Sequence, residues 1–499
     1  MDDKEIEAFR KSTSKKITLA LDTMDTEDSI EMNRMTETYK AFLNGAKTER
    51  RAVNYMVNQA RQAGFTDLTA QAATSPWGKN KKYYSIFKNK ALAMVVTGEH
   101  PLEQGLHIIG AHIDSPRLDL KQNPLYEDTD LALLKTHYYG GIRKYQWLSI
   151  PLALHGVVVR ADGTMVDINI GDDANDPVFV VSDLLPHLAG KVQEGKKLSE
   201  AFDGEKLNLI AGSVPLGGEG IKERFKLGVL KFLHEQYGIC EEDFVSAEIE
   251  AVPAGNARDI GLDRSMIGGY GQDDRICAWA AFQAMLALDK PQKTCVILFY
   301  DKEEIGSEGN TGAQSTFLES VVSDLFHLQQ GPHDERQLRK ILHNAKALSA
   351  DVNAAMDPDF KEVHESMNAA RLGHGVCITK FTGARGKAGS SDAGAEFVGL
   401  VRRCFNENKV VWQTGELGKI DEGGGGTIAK FMAHTGMDVL DCGPALLSMH
   451  APFEISSKAD FFMTFRAYKS FFVWSTLRSY RFYMKMKCPS TLSRAPGER

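Results

Sequence analysis

Paired cysteines are missing from this chain. Its seven cysteines, Cys240, Cys277, Cys295, Cys377, Cys404, Cys442 and Cys488, are odd in number and scattered, with no two at CxxC spacing. That excludes a disulfide framework and a thiolate zinc site, and it predicts reduced, packed thiols in a cytoplasmic protein. A metal here needs histidine and carboxylate ligands. Positive charge is also short: the net charge is −7, whereas binding to nucleic acid needs clustered Lys and Arg. No apolar run reaches the roughly 20 residues of a membrane span. The most aromatic stretch, "ADFFMTFRAYKSFFVWSTLRSYRFYM", is broken by Arg466, Lys469 and Arg478. Within it Phe461, Phe465, Tyr468 and Phe472 recur at helical spacing and predict the buried face of a long helix. The N-terminus has no basic segment followed by an apolar one, so it does not read as a signal peptide. Internal repeats and low-complexity tracts are absent.

What is present is enough for an ample core. At 499 residues the chain exceeds the size at which one core stops growing, so two domains, or one with a large insertion, are expected. Helical periodicity runs from Ile17 to about Gly64, and the strands "KALAMVVTG" and "GLHIIGAHID" follow as a pair. Between about Asp119 and Val252 the pattern becomes short β-rich pieces such as "SIPLALHGVVVRADG" and "DPVFVVSDLLP". From about Gly268, helices alternate again with wholly apolar strands, as in "DDRICAWAAFQAMLAL", "TCVILFYDKEE" and "GMDVLDCGPALLSMH". The expected class is α/β, a mixed sheet between helices. Residues 1–118 and 263–499 would form it, with 119–262 as an inserted β-rich domain.

Polar groups stand where apolar strands give out or helices begin: His112 with Asp114, Asp273 with Asp274, Glu303 with Glu304, Asp351, and His450. In open α/β sheets ligands bind beyond the carboxyl ends of strands, so these positions can converge. Each has a plain alternative. Asp273 or Asp274 suits a helix N-cap, His112 a hydrogen-bonded strand end, Asp351 a turn, His450 a core site. The stretch "LFYDKEEIGSEG" resists that treatment, because neighbouring carboxylates at the mouth of a buried strand stay ionised only beside cations. If His112, Asp273, Glu304, Asp351 and His450 were metal ligands, two divalent ions would bring about +4 against about −3 from the carboxylates. A shared carboxylate would leave each ion room for water and substrate. Glu304 and Glu303, adjacent and pointing apart, could then divide metal and water between them. Asp114, two residues beyond His112, is placed to fix its imidazole.

The motifs "GAHIDSPRLDLK", "YGQDDRICAWAAFQAM", "YDKEEIGSEGNTGAQS", "LSADVNAAMDP" and "ALLSMHAPFEISSKADF" resemble, in order and over nearly the whole chain, those of the aspartyl aminopeptidase family of two-zinc metallopeptidases. "YGGIRKYQWLSIPLALHG" and "DEGGGGTIAKFMA" are most similar to its bacterial branch. The resemblance implies zinc ligands His112, Asp273 (bridging both ions), Glu304, Asp351 and His450, with Glu303 as general base and Asp274 not a ligand. Glu303 and Asp114 are then the catalytic residues, and His187, Glu303 and Asp351 meet the substrate. His187, in "LLPHLAG", corresponds to a histidine that the family takes from a neighbouring subunit. Also implied are a β-rich dimerisation domain and a hollow tetrahedral dodecamer built from dimers, which admits peptides and excludes folded proteins. Two zinc ions per subunit are expected, and cobalt or manganese suits the same ligands.

Two other functions fit these residues less well. A carboxylate-pair glycosidase needs no metal and leaves His112 and His450 unexplained, while a non-catalytic shell protein would not need an intact ligand set. The glycines of "DEGGGGTIAKF" lack the GK[ST] ending of a phosphate loop, and Asp421 and Glu422 would repel phosphate. They read instead as close backbone approach near the metal site. Lys380, Arg385 and Lys387 in "KFTGARGKAGSSDAG" are candidates for a specificity pocket or simply a solvated basic loop.

Overall fold

The structure, a computed structural model, describes residues 1–71, 78–332 and 334–474. Arg478, the end of the aromatic stretch and Cys488 lie outside the described residues. A nine-stranded sheet forms the centre, in the order Thr66–Asp67, Lys82–Phe87, Ala91–Val96, Cys295–Tyr300, His107–His112, Lys346–Ser349, Asp438–Gly443, Val376–Thr379 and Trp412–Thr414. The two strands expected to pair do not. Cys295–Tyr300 lies between them, antiparallel to Ala91–Val96 and parallel to His107–His112. Local periodicity marks each strand, but only tertiary packing sets their order.

Strand Cys295–Tyr300 is apolar throughout because both its faces are covered. Cys295, Ile297 and Phe299 enter one core with Tyr39, Phe42, Trp279 and Phe461. Val296, Leu298 and Tyr300 enter the other with Phe317, Leu325 and Phe326. Side chains alternate across a strand, so two cores demand an apolar residue at every position.

The helical N-terminal region is interrupted. Helix Thr26–Gly45 is capped by Asp25, which accepts a bond from the Asp28 N–H at 2.8 Å, and Thr48 caps a second helix, Glu49–Gln62. Met35, Tyr39 and Phe42 form the buried face of the first, and Phe42 stacks on Trp279 with ring centres 4.5 Å apart. Helix Lys458–Val473 buries Phe461, Tyr468 and Phe472. No helix among the described residues is long and apolar enough to cross a membrane.

Strands between Arg117 and Pro253 build a separate six-stranded sheet. Its own apolar cluster includes Leu118, Trp147, Leu154, Phe225 and Ile249. Helix Arg224–Tyr237 lies within this segment, an element that its β-rich reading omits. A third sheet, of five strands, joins Met266–Gly269 to Glu454–Ser457 with Gly269 opposite Glu454.

Candidate metal centre

Parallel pairing aligns the strand ends. Tyr300 pairs with His112, and Ser349 pairs with both Gly110 and Asp441, so His112, the 301–304 turn and Asp351 leave the sheet at one edge. Past Tyr300 the backbone reverses at Lys302, whose φ of 68° is left-handed. A short turn, Glu303–Ile305, then presents the two glutamates. The Lys302 ammonium is turned away from them and pairs with Asp301 at 2.9 Å. Among the described residues no Lys or Arg forms an ion pair with Asp273, Glu303, Glu304 or Asp351.

Asp273 stands at the centre. Gly271, two residues before it, has a left-handed φ of 72°, and Asp273 is joined to Asp274 by a cis peptide bond. One of its carboxylate oxygens is 3.1 Å from His112 Nε2 and the other is 3.3 Å from His450 Nε2. Glu304 Oε2 lies 3.5 Å from His450 Nε2, and Glu303 Oε2 lies 3.9 Å from His112 Nε2. Metal-binding atoms of His112, Asp273 and Glu304 fall within 4.8 Å of one another, as do those of His112, Asp274 and Asp351. His112, Asp273, Glu304, Asp351 and His450 are thus gathered in one place, with Glu303 beside them. His187, exposed on the short helix Pro186–Ala189, does not line this cavity within the chain.

Two buried carboxylates hold the group from behind. Asp114 accepts the Glu303 and Glu304 backbone N–H groups, each at 3.2 Å, and the Tyr139 hydroxyl at 2.8 Å. His112 Nδ1 lies 3.1 Å from the Asp114 carbonyl oxygen and 3.3 Å from its Oδ1, which leaves Nε2 turned to Asp273. Glu454 accepts the N–H of His450 at 2.8 Å, of Gln272 at 2.6 Å and of Asp273 at 3.1 Å. His450 itself has a left-handed φ of 66°, and its Nδ1 is 3.1 Å from the Gly141 carbonyl oxygen. Glu454, Tyr139 and Gly141 have no mark in the sequence. Tyr139 and Gly141 act through one hydrogen bond each and Glu454 through three, all across the fold.

Charge in this cluster is unbalanced. Burial, with Asp114 and Asp273 adding repulsion against the pull of His112, pushes Glu303 up to about 7. Burial and Asp273 raise Glu304 well above the carboxylate range, and burial and Asp274 do the same to Asp351. Burial opposes a cation at His450, yet the Asp273 hydrogen bond and the Glu304 charge outweigh it and raise the imidazole to about 10. Glu304 Oε1 and Asp274 Oδ1 are buried without a hydrogen-bond partner. Two imidazoles, a carboxylate spanning them and unpartnered carboxylate oxygens form a donor set that divalent zinc fits, because it supplies the missing positive charge.

The cluster opens into a cavity of about 500 Å³. Glu303, Glu304, Asp351 and His450 line one side, and Gly423, Gly424, Gly425 and Gly426 line another. Gly423 and Gly424 pack backbone on backbone: an added Cβ would sit 2.1 Å from the Leu417 carbonyl oxygen at the first and 2.2 Å from that of Gly383 at the second, whereas Gly425 and Gly426 face only side chains. Arg385, Lys387, Lys419 and Lys430 bring positive charge to the wall. Lys380 is not part of that wall; with Lys387 it grips Asp392, at 2.8 and 3.2 Å.

The family described as Aminopeptidase I zinc metalloprotease (M18) matches residues 42–472. A probable M18 family aminopeptidase 1 of Clostridium acetobutylicum is 52% identical over 455 residues, covering 91% of this chain and 97% of that protein. The crystal structure of an M18 family aminopeptidase from Thermotoga maritima superposes with a TM-score of 0.88 at 49% identity, covering 92% of this chain and 99% of that one. The Saccharomyces cerevisiae mApe1 dodecamer is similar at a TM-score of 0.70 and 19% identity, a likeness of fold alone, over 92% of this chain and 99% of that one.

Proposed function

Because the chain belongs to the M18 family of aminopeptidase I zinc metalloproteases and is a zinc-dependent aminopeptidase, we propose that it removes the N-terminal residue of peptides with two zinc ions bridged by Asp273 and with Glu303 as general base. The observation that carries this reading is the Asp273 carboxylate, whose two oxygens address the Nε2 atoms of His112 and His450. In it His112, Asp273, Glu304, Asp351 and His450 would hold the two ions. Cobalt or manganese can occupy the same ligands. When bound, zinc supplies Lewis acidity toward the scissile carbonyl and lowers the pKa of water.

The chain's own groups do the rest. Glu303 lines the cavity with its backbone N–H bound by Asp114, so its carboxylate, though largely buried, reaches the cavity. It takes a proton from the attacking water and returns it to the leaving amine. The carboxylates around Asp351 and Glu304 suit a free α-amino group, which is what distinguishes a peptide end from a peptide interior. His187, from a neighbouring copy, completes the substrate contacts in this reading.

Residues 119–262 serve as the dimerisation domain, between the catalytic parts 1–118 and 263–499. Leu184, Leu185, Leu188, Val214 and Leu216 are exposed there, a concentration of apolar surface that marks an association face. A tetrahedral dodecamer of such dimers would enclose the sites and favour unfolded peptides. The described cysteines are all free, which suits the reducing cytoplasm.

The test is a panel of aminoacyl chromogenic substrates with acidic, neutral and basic first residues, assayed with and without a chelator and after replacement of zinc. Cleavage should vanish with the chelator and return with the metal, and the panel ranks the side chains admitted beside Arg385 and Lys387. Cleavage undiminished after verified removal of metal would sink the reading.

A further inference from the structure

The six-stranded sheet touches the metal centre at one corner. Strand Leu131–Tyr139 ends on Tyr139, and Gly140 and Gly141 follow. Three contacts leave this corner. The Tyr139 hydroxyl donates to Asp114 Oδ2 at 2.8 Å. The Gly141 carbonyl oxygen receives His450 Nδ1 at 3.1 Å. Gly140, with φ 75°, lies so close that an added Cβ would be 3.3 Å from Glu304 Cβ.

The Tyr139 ring is itself held. The Arg117 guanidinium lies over its face, 3.9 Å from the ring centre. Arg117 is buried among Asp119 at 2.7 Å, Glu49 at 3.4 Å and Glu250 at 3.4 Å. A ring clamped by a buried cation has little freedom, so its hydroxyl is directed at Asp114 without entropy lost on each encounter.

Four groups surround the Asp114 carboxylate: the Glu303 N–H on Oδ1, the Glu304 N–H and the Tyr139 hydroxyl on Oδ2, and His112 Nδ1, which is 3.3 Å from Oδ1 and 3.1 Å from the Asp114 carbonyl oxygen. Three of these belong to the metal centre. The fourth, the Tyr139 hydroxyl, comes from the other sheet and is the shortest of the contacts, sharing Oδ2 with the Glu304 N–H.

We propose that Tyr139 is a positioning residue for zinc, acting from the inserted sheet through Asp114 to orient His112 and the Glu303–Glu304 turn. This rests on the reading of His112 as a zinc ligand. Partners behind a metal's own ligands typically change its affinity by about 10- to 100-fold, and Tyr139 sits one hydrogen bond farther out, so a change of about tenfold is expected.

Tyr139→Phe is the clean variant, since it keeps the ring over Arg117 and removes only the hydroxyl. In the full-length enzyme, zinc affinity is measured by chelator competition for wild type, Y139F, D114N, the double variant and H112A, with melting of the metal-stripped proteins as a check on folding. Y139F should bind zinc about tenfold more weakly with unchanged melting of the metal-stripped protein, and should lower kcat while leaving KM near wild type. In the double variant Y139F should add less than twofold to D114N, because the hydroxyl acts through that carboxylate. Wild-type zinc affinity in Y139F, or full additivity with D114N, overturns the proposal while H112A still loses zinc. Undiminished zinc binding by H112A would overturn the ligand assignment and the proposal with it.

Discussion

Glu303 and Glu304 are chemically identical neighbours with different surroundings. Glu304 Oε2 faces His450 across 3.5 Å and its other oxygen is buried without a partner, whereas Glu303 stands at the cavity and is more open to solvent. Glu303→Gln keeps the shape and removes the proton acceptor, so zinc content by elemental analysis should match wild type while kcat falls by about 100- to 10,000-fold. Near-normal turnover with zinc retained would reassign the base. At this scale the sequence was informative because of a local conflict: acidic residues directly after the apolar run ending at Tyr300 cannot be explained by strand or turn alone. Glu454 produces no such conflict. It is one glutamate in a polar segment, and its role rests on three backbone N–H groups that only the folded chain brings together.

Helix Gln272–Leu286 carries Asp273 at its start, and its entry is tightly built. Gly271 has φ 72°, and an added Cβ would meet Arg275 Nη1 at 1.8 Å, where Arg275 is fully buried. Gly271→Ala should cost about 1–2 kcal/mol from the left-handed backbone alone, with the clash added, and should weaken zinc binding because Asp273 is displaced. Thermal melting and a zinc titration read the two effects separately. The helix itself was legible from "DDRICAWAAFQAMLAL", and so were the central strands Ala91–Val96, His107–His112 and Cys295–Tyr300, since burial on both faces leaves an apolar signature. The insertion of Cys295–Tyr300 between Ala91–Val96 and His107–His112 was not. Pairing partners nearly two hundred residues apart are chosen by the whole sheet, and nothing in either segment records the choice. Resemblance to a family supplied what periodicity could not, namely which of the candidate carboxylates would hold metal.

Acid should destabilise the whole molecule in part through His107. Burial, aided by the Lys293 charge, holds this imidazole down at about 3, and its ring stacks on Phe471. The unfolded chain titrates near the ordinary value, about 6.5. Between those values the unfolded state binds the extra proton, so stability falls as pH drops below about 6.5, by up to about 1.4 kcal/mol per pH unit. Melting temperature measured from pH 7 to 4.5 should fall less steeply in His107→Phe, which keeps the stack and cannot titrate. Where the two larger sheets meet, Arg117→Met would leave Glu250 buried without its cation and Glu49 with Lys90 alone, a loss of about 3–5 kcal/mol visible as a lower melting temperature. The Tyr139–Gly141 corner gives this junction a thermodynamic meaning. A strand of the sheet proposed to meet a neighbouring subunit leads into contacts with Asp114 and His450, so on that proposal subunit contact and metal occupancy would be linked equilibria. Linkage is reciprocal: if association steadies the corner and strengthens zinc binding, zinc must strengthen association by the same factor, and stripping the metal should loosen the assembly at dilution as well as silence the enzyme.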